Sequence, residues 1–389
     1  METLEDTFKA LSIARRLQHD DPTYILDLAF PANSQAEVVA VCCSDRSVRL
    51  YTANTLCLQR EYQGHTGALC GVRFAHNSSD LLFSGSADGT LRCWDVRQPC
   101  SEAVQVFQSD PAHSYCSFDA SCSDTVLCAG TEKVNEDSFL VFWDARMVRN
   151  GEESLKKDGL LGVYSESHSD DITSVCFHPR QADRLATGAT DGLVNVFDLS
   201  QGSEDDALFT TCNSDSSVSS ICWAGKDLQQ LLCLSHDEGL HLWDVGQLDS
   251  TDPLTLLSAN DARTLAALPE GKSLDYFIGG TWLEDGGHLL VAGGTNDGEL
   301  HLLDCSGSGL RLIRSLVGGH SATVRCSHWS PVRSTLFTGG EDGLLLQWRP
   351  DAEDAGEGKR DMLKTISAMQ LKSRSYRHHP TKREKKQQA

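Results

Sequence analysis

The stretch FSGSADGTLRCWDVR, from Phe83 to Arg97, alternates like a β-strand, breaks at Asp88-Gly89, alternates again and ends in Trp-Asp. Close variants return as ATGATDGLVNVFDLS from Ala186, CLSHDEGLHLWDVG from Cys233 and FTGGEDGLLLQWRP from Phe337. A small sheet of this size cannot bury both of its faces alone, so its copies must stack on one another. Aligned on the end of the hairpin, the series reads Tyr51-Thr52, Trp94-Asp95, Trp143-Asp144, Phe197-Asp198, Trp243-Asp244, Leu303-Asp304 and Trp348-Arg349. The motif returns roughly every 43 to 60 residues. Runs such as TLRCW and LVNVF have the period of half-buried strands. Asp-Gly at Asp88, Asp191, Asp297 and Asp342 suits a tight hairpin that needs positive φ. No long helical pattern interrupts the repeats.

Seven repeats of several short strands predict an all-β, seven-bladed propeller. With its Trp-Asp pairs and Asp-containing hairpins, the chain resembles the WD40-repeat family from about Phe8 to Pro350. The resemblance implies that a His in the turn before a blade, a Ser or Thr on its second strand, the hairpin Asp and the Trp form one hydrogen-bond network. The matching residues are His65, Ser84, Asp88 and Trp94 in repeat 2, and His320, Thr338, Asp342 and Trp348 in repeat 7. Repeat 4 keeps His168, Thr187 and Asp191 but has Phe197, which cannot donate. Repeat 5 keeps Asp237 and Trp243 without a Gly-His turn. Repeats 2 and 7 are therefore expected to be the stiffest, and repeats 1 and 6, with Tyr51 and Leu303, to rely on apolar packing alone. The last repeat lacks a fourth strand after Trp348. FKALSIARRL, from Phe8 to Leu17, is expected to supply it and so remove a free edge; a short N-terminal helix is the competing reading. The expected organisation is a propeller over 1–350, an acidic linker with a short amphipathic helix over 351–370, and a flexible basic tail over 371–389.

The 15 cysteines are an odd number, form no C-x-x-C pair and fall, as at Cys42, Cys128, Cys176 and Cys233, inside apolar strand-like runs. They read as reduced core residues, with neither disulfides nor metal expected. The acidic N-terminal stretch METLEDTFKA has no hydrophobic h-region, so no secretion signal is expected. No apolar run approaches the roughly 18 residues of a membrane span. The recurrent His and Asp look like acid–base equipment, but a catalytic constellation should be singular rather than copied at repeat spacing. No G-x-S-x-G elbow, P-loop, G-x-G-x-x-G or H-E-x-x-H is present, so neither catalysis nor a cofactor is expected.

Propeller loops carry specificity, and the expected role is a non-catalytic scaffold for protein partners, acting in cytoplasm and nucleus as a monomer within complexes. WDVR and WDAR place Arg97 and Arg146 two residues after the Asp of repeats 2 and 3. With Leu82, Leu91, Val141 and Phe142, they resemble the Trp-Asp-x-Arg boxes of cullin-4 ubiquitin-ligase substrate receptors. That resemblance implies contact with the ligase linker protein. Glu132, Lys133, Glu136 and Asp137 lengthen the repeat-3 hairpin, and SQGSEDDA adds Glu204, Asp205 and Asp206. These loops would favour a basic partner if they are more than solvated connections. Met362, Ile366 and Met369 have helical spacing. From Leu371 to Ala389, seven Lys and Arg, including Lys382, Arg383, Lys385 and Lys386, face Glu384 alone. The tail is thus +6, which leaves −27 of the total −21 on residues 1–370. That tail suits nuclear import or, in a ribosome-assembly role, phosphate attraction to RNA; the acidic body does not.

Overall fold

The computed structural model describes residues 4–19, 23–32, 37–98, 102–109, 111–146, 159–249, 252–269 and 272–350. The linker, the amphipathic segment with Met362, Ile366 and Met369, and the basic tail lie outside the described residues. The chain forms seven four-stranded antiparallel sheets. From the innermost strand outwards, blade 1 holds Ile25–Ala29, Val38–Cys43, Val48–Thr52 and Leu58–Tyr62. Blade 2 holds Leu69–Phe74, Leu81–Ser86, Thr90–Asp95 and Gln105–Gln108. Blades 3 to 6 repeat this order, beginning at Tyr115–Ala120, Ser174–Phe177, Val218–Ala224 and Tyr276–Leu283.

Each innermost strand packs against that of the next blade, and Val324–Ser330 of blade 7 packs against Ile25–Ala29 of blade 1, so the series returns to its start. The core follows the same ring. Apolar side chains form seven clusters, each at an interface between neighbouring blades. At the junction of last and first, Ile25, Val39 and Tyr51 pack on Phe337 and Leu345. Burying one such large side chain stabilises by about 1.5–3 kcal/mol.

The fourth strand of blade 7 is Leu11–Gln18, paired antiparallel with Leu344–Pro350 from Leu11↔Pro350 to Gln18↔Leu344. Arg16 donates to the carbonyls of Gly318 and Gly319, at 2.7 and 3.1 Å. The stretch from Phe8 to Leu17 does not form one element, however. Phe8 lies in a helix, Leu4–Lys9, and the strand begins only at Leu11. The reason is aromatic packing: Phe8 is fully buried, with its ring 4.5 Å from that of Trp329.

Blade-to-blade straps add polar register. An acceptor on one blade takes a backbone N–H from the innermost strand of the next: Asp27 from Val72, Asp119 from Phe177, Ser174 from Ile221, Glu238 from Phe277, and Tyr276 from Val324. The cysteines among the described residues are free thiols. Cys42, Cys128 and Cys233 are buried and Cys176 half-buried; burial pushes their thiols up, Cys233 to about 12.

Candidate functional site

In blade 2 the hairpin turns at Gly89, whose φ of 78° only glycine adopts freely. Asp88 Oδ1 accepts from Thr90, both backbone N–H and hydroxyl, and Oδ2 from the N–H of Thr66. His65 Nδ1 lies 3.0 Å from Asp88 Oδ2, and Nε2 lies 2.8 Å from Ser84 Oγ. The Trp94 indole N–H donates to the same Oγ at 2.9 Å. Because the Asp88 carboxylate can only accept, the proton of the neutral imidazole sits on Nδ1 facing it; Nε2 then accepts from the Ser84 hydroxyl, whose oxygen in turn accepts from the indole. Burial alone would raise the Asp88 carboxyl, but the bonds from Thr90, Thr66 and His65 hold it below the usual range. Burial pushes His65 down, against the pull of Asp88.

Blade 7 repeats the chain. His320 Nδ1 is 3.0 Å from Asp342, Nε2 is 2.8 Å from Thr338 Oγ1, and the Trp348 indole donates to Thr338 at 3.0 Å. Blade 4 keeps His168 at 3.2 Å from Asp191 and 2.8 Å from Thr187, with Phe197 buried in the indole position. Asn195 adds a polar contact there, donating to the carbonyl of Ser167 at 2.6 Å.

The remaining blades diverge, and their registers explain why. Ser84, Thr187 and Thr338 each sit two residues beyond the strand partner of the Trp or Phe. The same place holds Ala129 in blade 3, and the buried Trp143 indole N–H has no partner among the described residues. In blade 5 it holds Cys233. Asp237 is exposed and accepts from the Ser216 hydroxyl at 2.7 Å, so it does not join Trp243 in a network. His241 lies flat on Trp243 instead, its ring 5.3 Å away, and pairs with Ser258 at 3.0 Å. Blade 6 has the counterpart His301, fully buried and 2.9 Å from Ser315. Blade 1 has its own polar anchor: His19, just after the Leu11–Gln18 strand, lies 3.0 Å from Tyr51 Oη and 3.0 Å from Arg49 Nη1. Blades 1 and 6 therefore do not rest on apolar packing alone. Alignment on Trp-Asp missed these histidines because they occupy other positions in the repeat.

On the rims, Arg97 and Arg146 take one conformation. Each guanidinium forks onto the Asp two residues before it, Asp95 or Asp144, at 2.9 and 2.8 Å, and both side chains are largely exposed. These arginines hold the Asp95 and Asp144 carboxyls below the usual range. Glu132, Lys133, Glu136 and Asp137 are exposed. Glu204 is not a free loop charge. Its carboxylate accepts from Ser165 N–H at 2.8 Å and Glu166 N–H at 2.9 Å, and from the Ser167 hydroxyl, clasping blade 4 to the end of blade 3. Lys382, Arg383, Lys385 and Lys386 lie outside the described residues.

Near the axis, a cluster that strand periodicity could not reveal joins blades 1 to 3. Arg73 Nη1 is 2.5 Å from Asp27, and its Nε is 3.9 Å from Asp119. Among the described residues, no group of three His, Cys, Asp or Glu is placed to hold a metal ion, and no helix is long and apolar enough to cross a membrane.

The family model described as WD domain, G-beta repeat matches residues 56–95, 160–198 and 310–349. Each window starts in or just before the outermost strand of one blade and runs through the third strand of the next. The three windows contain His65, His168 and His320. The chain is 26% identical to the WD repeat-containing protein 89 homolog of Dictyostelium discoideum, over 85% of this chain and 83% of that protein. It is 30% identical to the WD repeat-containing protein GTS1 of Arabidopsis thaliana, over 83% of this chain and 80% of the relative. Seven blades, hairpins held by a repeated His–hydroxyl–Asp chain and this extended likeness agree: the chain belongs to the WD40-repeat family of β-propeller proteins.

Proposed function

We propose that the protein is a non-catalytic scaffold that assembles protein partners on the rims of its propeller. The observation that carries this reading is the fate of its acid–base pairs. His65–Asp88, His168–Asp191 and His320–Asp342 are buried, repeated and bonded on both imidazole nitrogens. Such groups position hairpins; a catalytic set stands open to substrate and occurs once. The rims, by contrast, carry exposed charge on loops that a rigid ring holds in place. Crosslinked affinity purification of the tagged full chain should recover a defined set of proteins, and a metabolite panel should show no turnover. Reproducible turnover that depends on a residue outside the repeats would overturn the reading.

The matching forks of Arg97 and Arg146 on adjacent blades favour a second reading, a substrate receptor for a cullin-4 ligase. An R97A/R146A variant should then lose co-purification with the ligase linker protein; unchanged recovery rejects it. The +6 tail supports action in the nucleus as well as the cytoplasm, next to RNA in a ribosome-assembly setting. Deleting 371–389 should weaken a salt-sensitive association with pre-ribosomal particles, since each phosphate contact releases counterions.

A further inference from the structure

Among the described residues, every blade ends in an outermost strand with no further strand beyond it. Such an edge invites another strand unless charge, proline, brevity or a cover protects it. The outer strands of blade 1 (Leu58–Tyr62), blade 6 (Gly309–Leu316) and blade 7 carry Arg60 and Glu61, Arg311 and Arg314, and Arg15 and Arg16 respectively. That of blade 5 (Asp252–Ala259) carries Pro253, and that of blade 2 is only four residues long. The outer strand of blade 4 (Leu208–Asn213) is uncharged, but Arg184 lies 3.9 Å over its Phe209, and the strand packs against its neighbour in blade 5.

Among the described residues, the outer strand of blade 3 (Leu160–Tyr164), LLGVY, has neither charge nor proline, and carries the bulge, here at Leu161, that the outer strands of blades 1, 4, 5 and 6 also have. Leu161 is 58% and Val163 44% exposed on one face, and open space surrounds the place where a Gly162 side chain would begin. Glu204 takes the N–H groups of Ser165 and Glu166 just beyond the strand.

We propose that this edge accepts an extended segment of a partner protein by strand addition, and that the segment alternates apolar with basic residues. Backbone hydrogen bonds would extend the sheet, and apolar residues two apart would meet Leu161 and Val163. The basic face follows from charge. Exposed Glu166, Asp205 and Asp206 flank the edge around the Glu204 clasp. The body of a second copy, −27 over residues 1–370, would be repelled, whereas a cationic segment is drawn in. This rests on the scaffold reading and gives it a location.

The probe is a labelled synthetic peptide of alternating Lys and Val, compared with the same peptide N-methylated along one edge, which keeps charge and apolar area but cannot pair. Anisotropy with the full chain at physiological salt should show the parent peptide binding about tenfold more tightly than the methylated one. Leu161→Lys with Val163→Lys installs the protection that other blades carry at two exposed positions, and should abolish the difference while leaving the melting curve unchanged. Equal binding of the two peptides, or discrimination that survives in the variant, overturns the proposal. So does a concentration-dependent dimer that the variant dissolves, since the occupant would then be a second copy. If the variant keeps every partner of the wild-type chain, the edge is idle but the scaffold stands; if the wild-type chain recovers no partner, the scaffold reading itself fails.

Discussion

One hydroxyl separates a satisfied indole from an orphaned one. Ser84 and Thr338 receive Trp94 and Trp348, whereas Ala129 leaves the buried Trp143 N–H without a partner among the described residues. Ala129→Ser should raise stability by about 0.5–1.5 kcal/mol in urea unfolding, the net worth of one buried hydrogen bond; a loss would mean the cavity cannot take the oxygen. Ser84→Ala is the mirror experiment. It strands both the Trp94 indole and His65 Nε2 and should cost about 1–3 kcal/mol, visible as a lower urea midpoint at unchanged slope. The imidazoles also set a pH dependence. Burial lowers His65, His241 and His301, so the unfolded chain takes up their protons first as pH falls. Their contribution is complete above about 6.5 and is lost as pH falls towards the lower folded values. His76, raised by its bond to Asp124, pulls the other way. The melting midpoint should therefore drop between pH 7 and 5, and H241Q/H301Q should flatten that drop. The His–hydroxyl–Asp chains of blades 2, 4 and 7 were legible because the resemblance to WD40 repeats implies the network and the repeat locates each member of it. His19 was not, since it follows the closing strand outside the repeats; nor were His241 and His301, since both stand two residues before the hairpin-end position, a place to which the Trp-Asp alignment gives no role.

At the scale of elements, strands and hairpins were readable from alternation and Asp-Gly, and the missing fourth strand of blade 7 pointed to the N-terminal stretch. Its division at Lys9 was not readable, because what turns Phe8 inward is Trp329, distant in sequence and brought near only by the fold. Loop charge misled in a similar way. SQGSEDDA reads as a solvated or partner-facing acidic run, yet Glu204 is taken up by the backbone N–H groups of Ser165 and Glu166 and by the Ser167 hydroxyl. Glu204→Ala should cost about 1–2 kcal/mol. The more telling measurement is hydrogen exchange, which should accelerate at Ser165 and Glu166 while the Trp94 and Trp348 blades stay protected. Uniform acceleration would mean that the clasp supports the whole ring.

Across the whole molecule, apolar clusters at successive interfaces supply cohesion, and polar straps fix the angle between blades. The Asp27–Arg73–Asp119 cluster links three blades by charge. Arg73→Met would leave two carboxylates facing each other. The cost should be about 1–3 kcal/mol, below that of a fully buried pair because the Arg73 side chain is 41% exposed. Burial raises Asp119 despite Arg73, so in the variant this carboxyl should take up a proton more readily in the folded state. The deficit should then shrink as pH is lowered from 7 towards 5; a deficit independent of pH would assign the loss to packing instead.

The last blade draws its outer strand from the opposite end of the polypeptide, and this imposes an order in time. During synthesis Leu11–Gln18 emerges first, yet its neighbour Leu344–Pro350 is made only after nearly all the described chain. Until then a strand with one apolar face and unpaired backbone groups must wait, open to the wrong partner. Completion of the ring thus waits for Leu344–Pro350, and newly made protein should depend on chaperones most in the interval before these two strands meet.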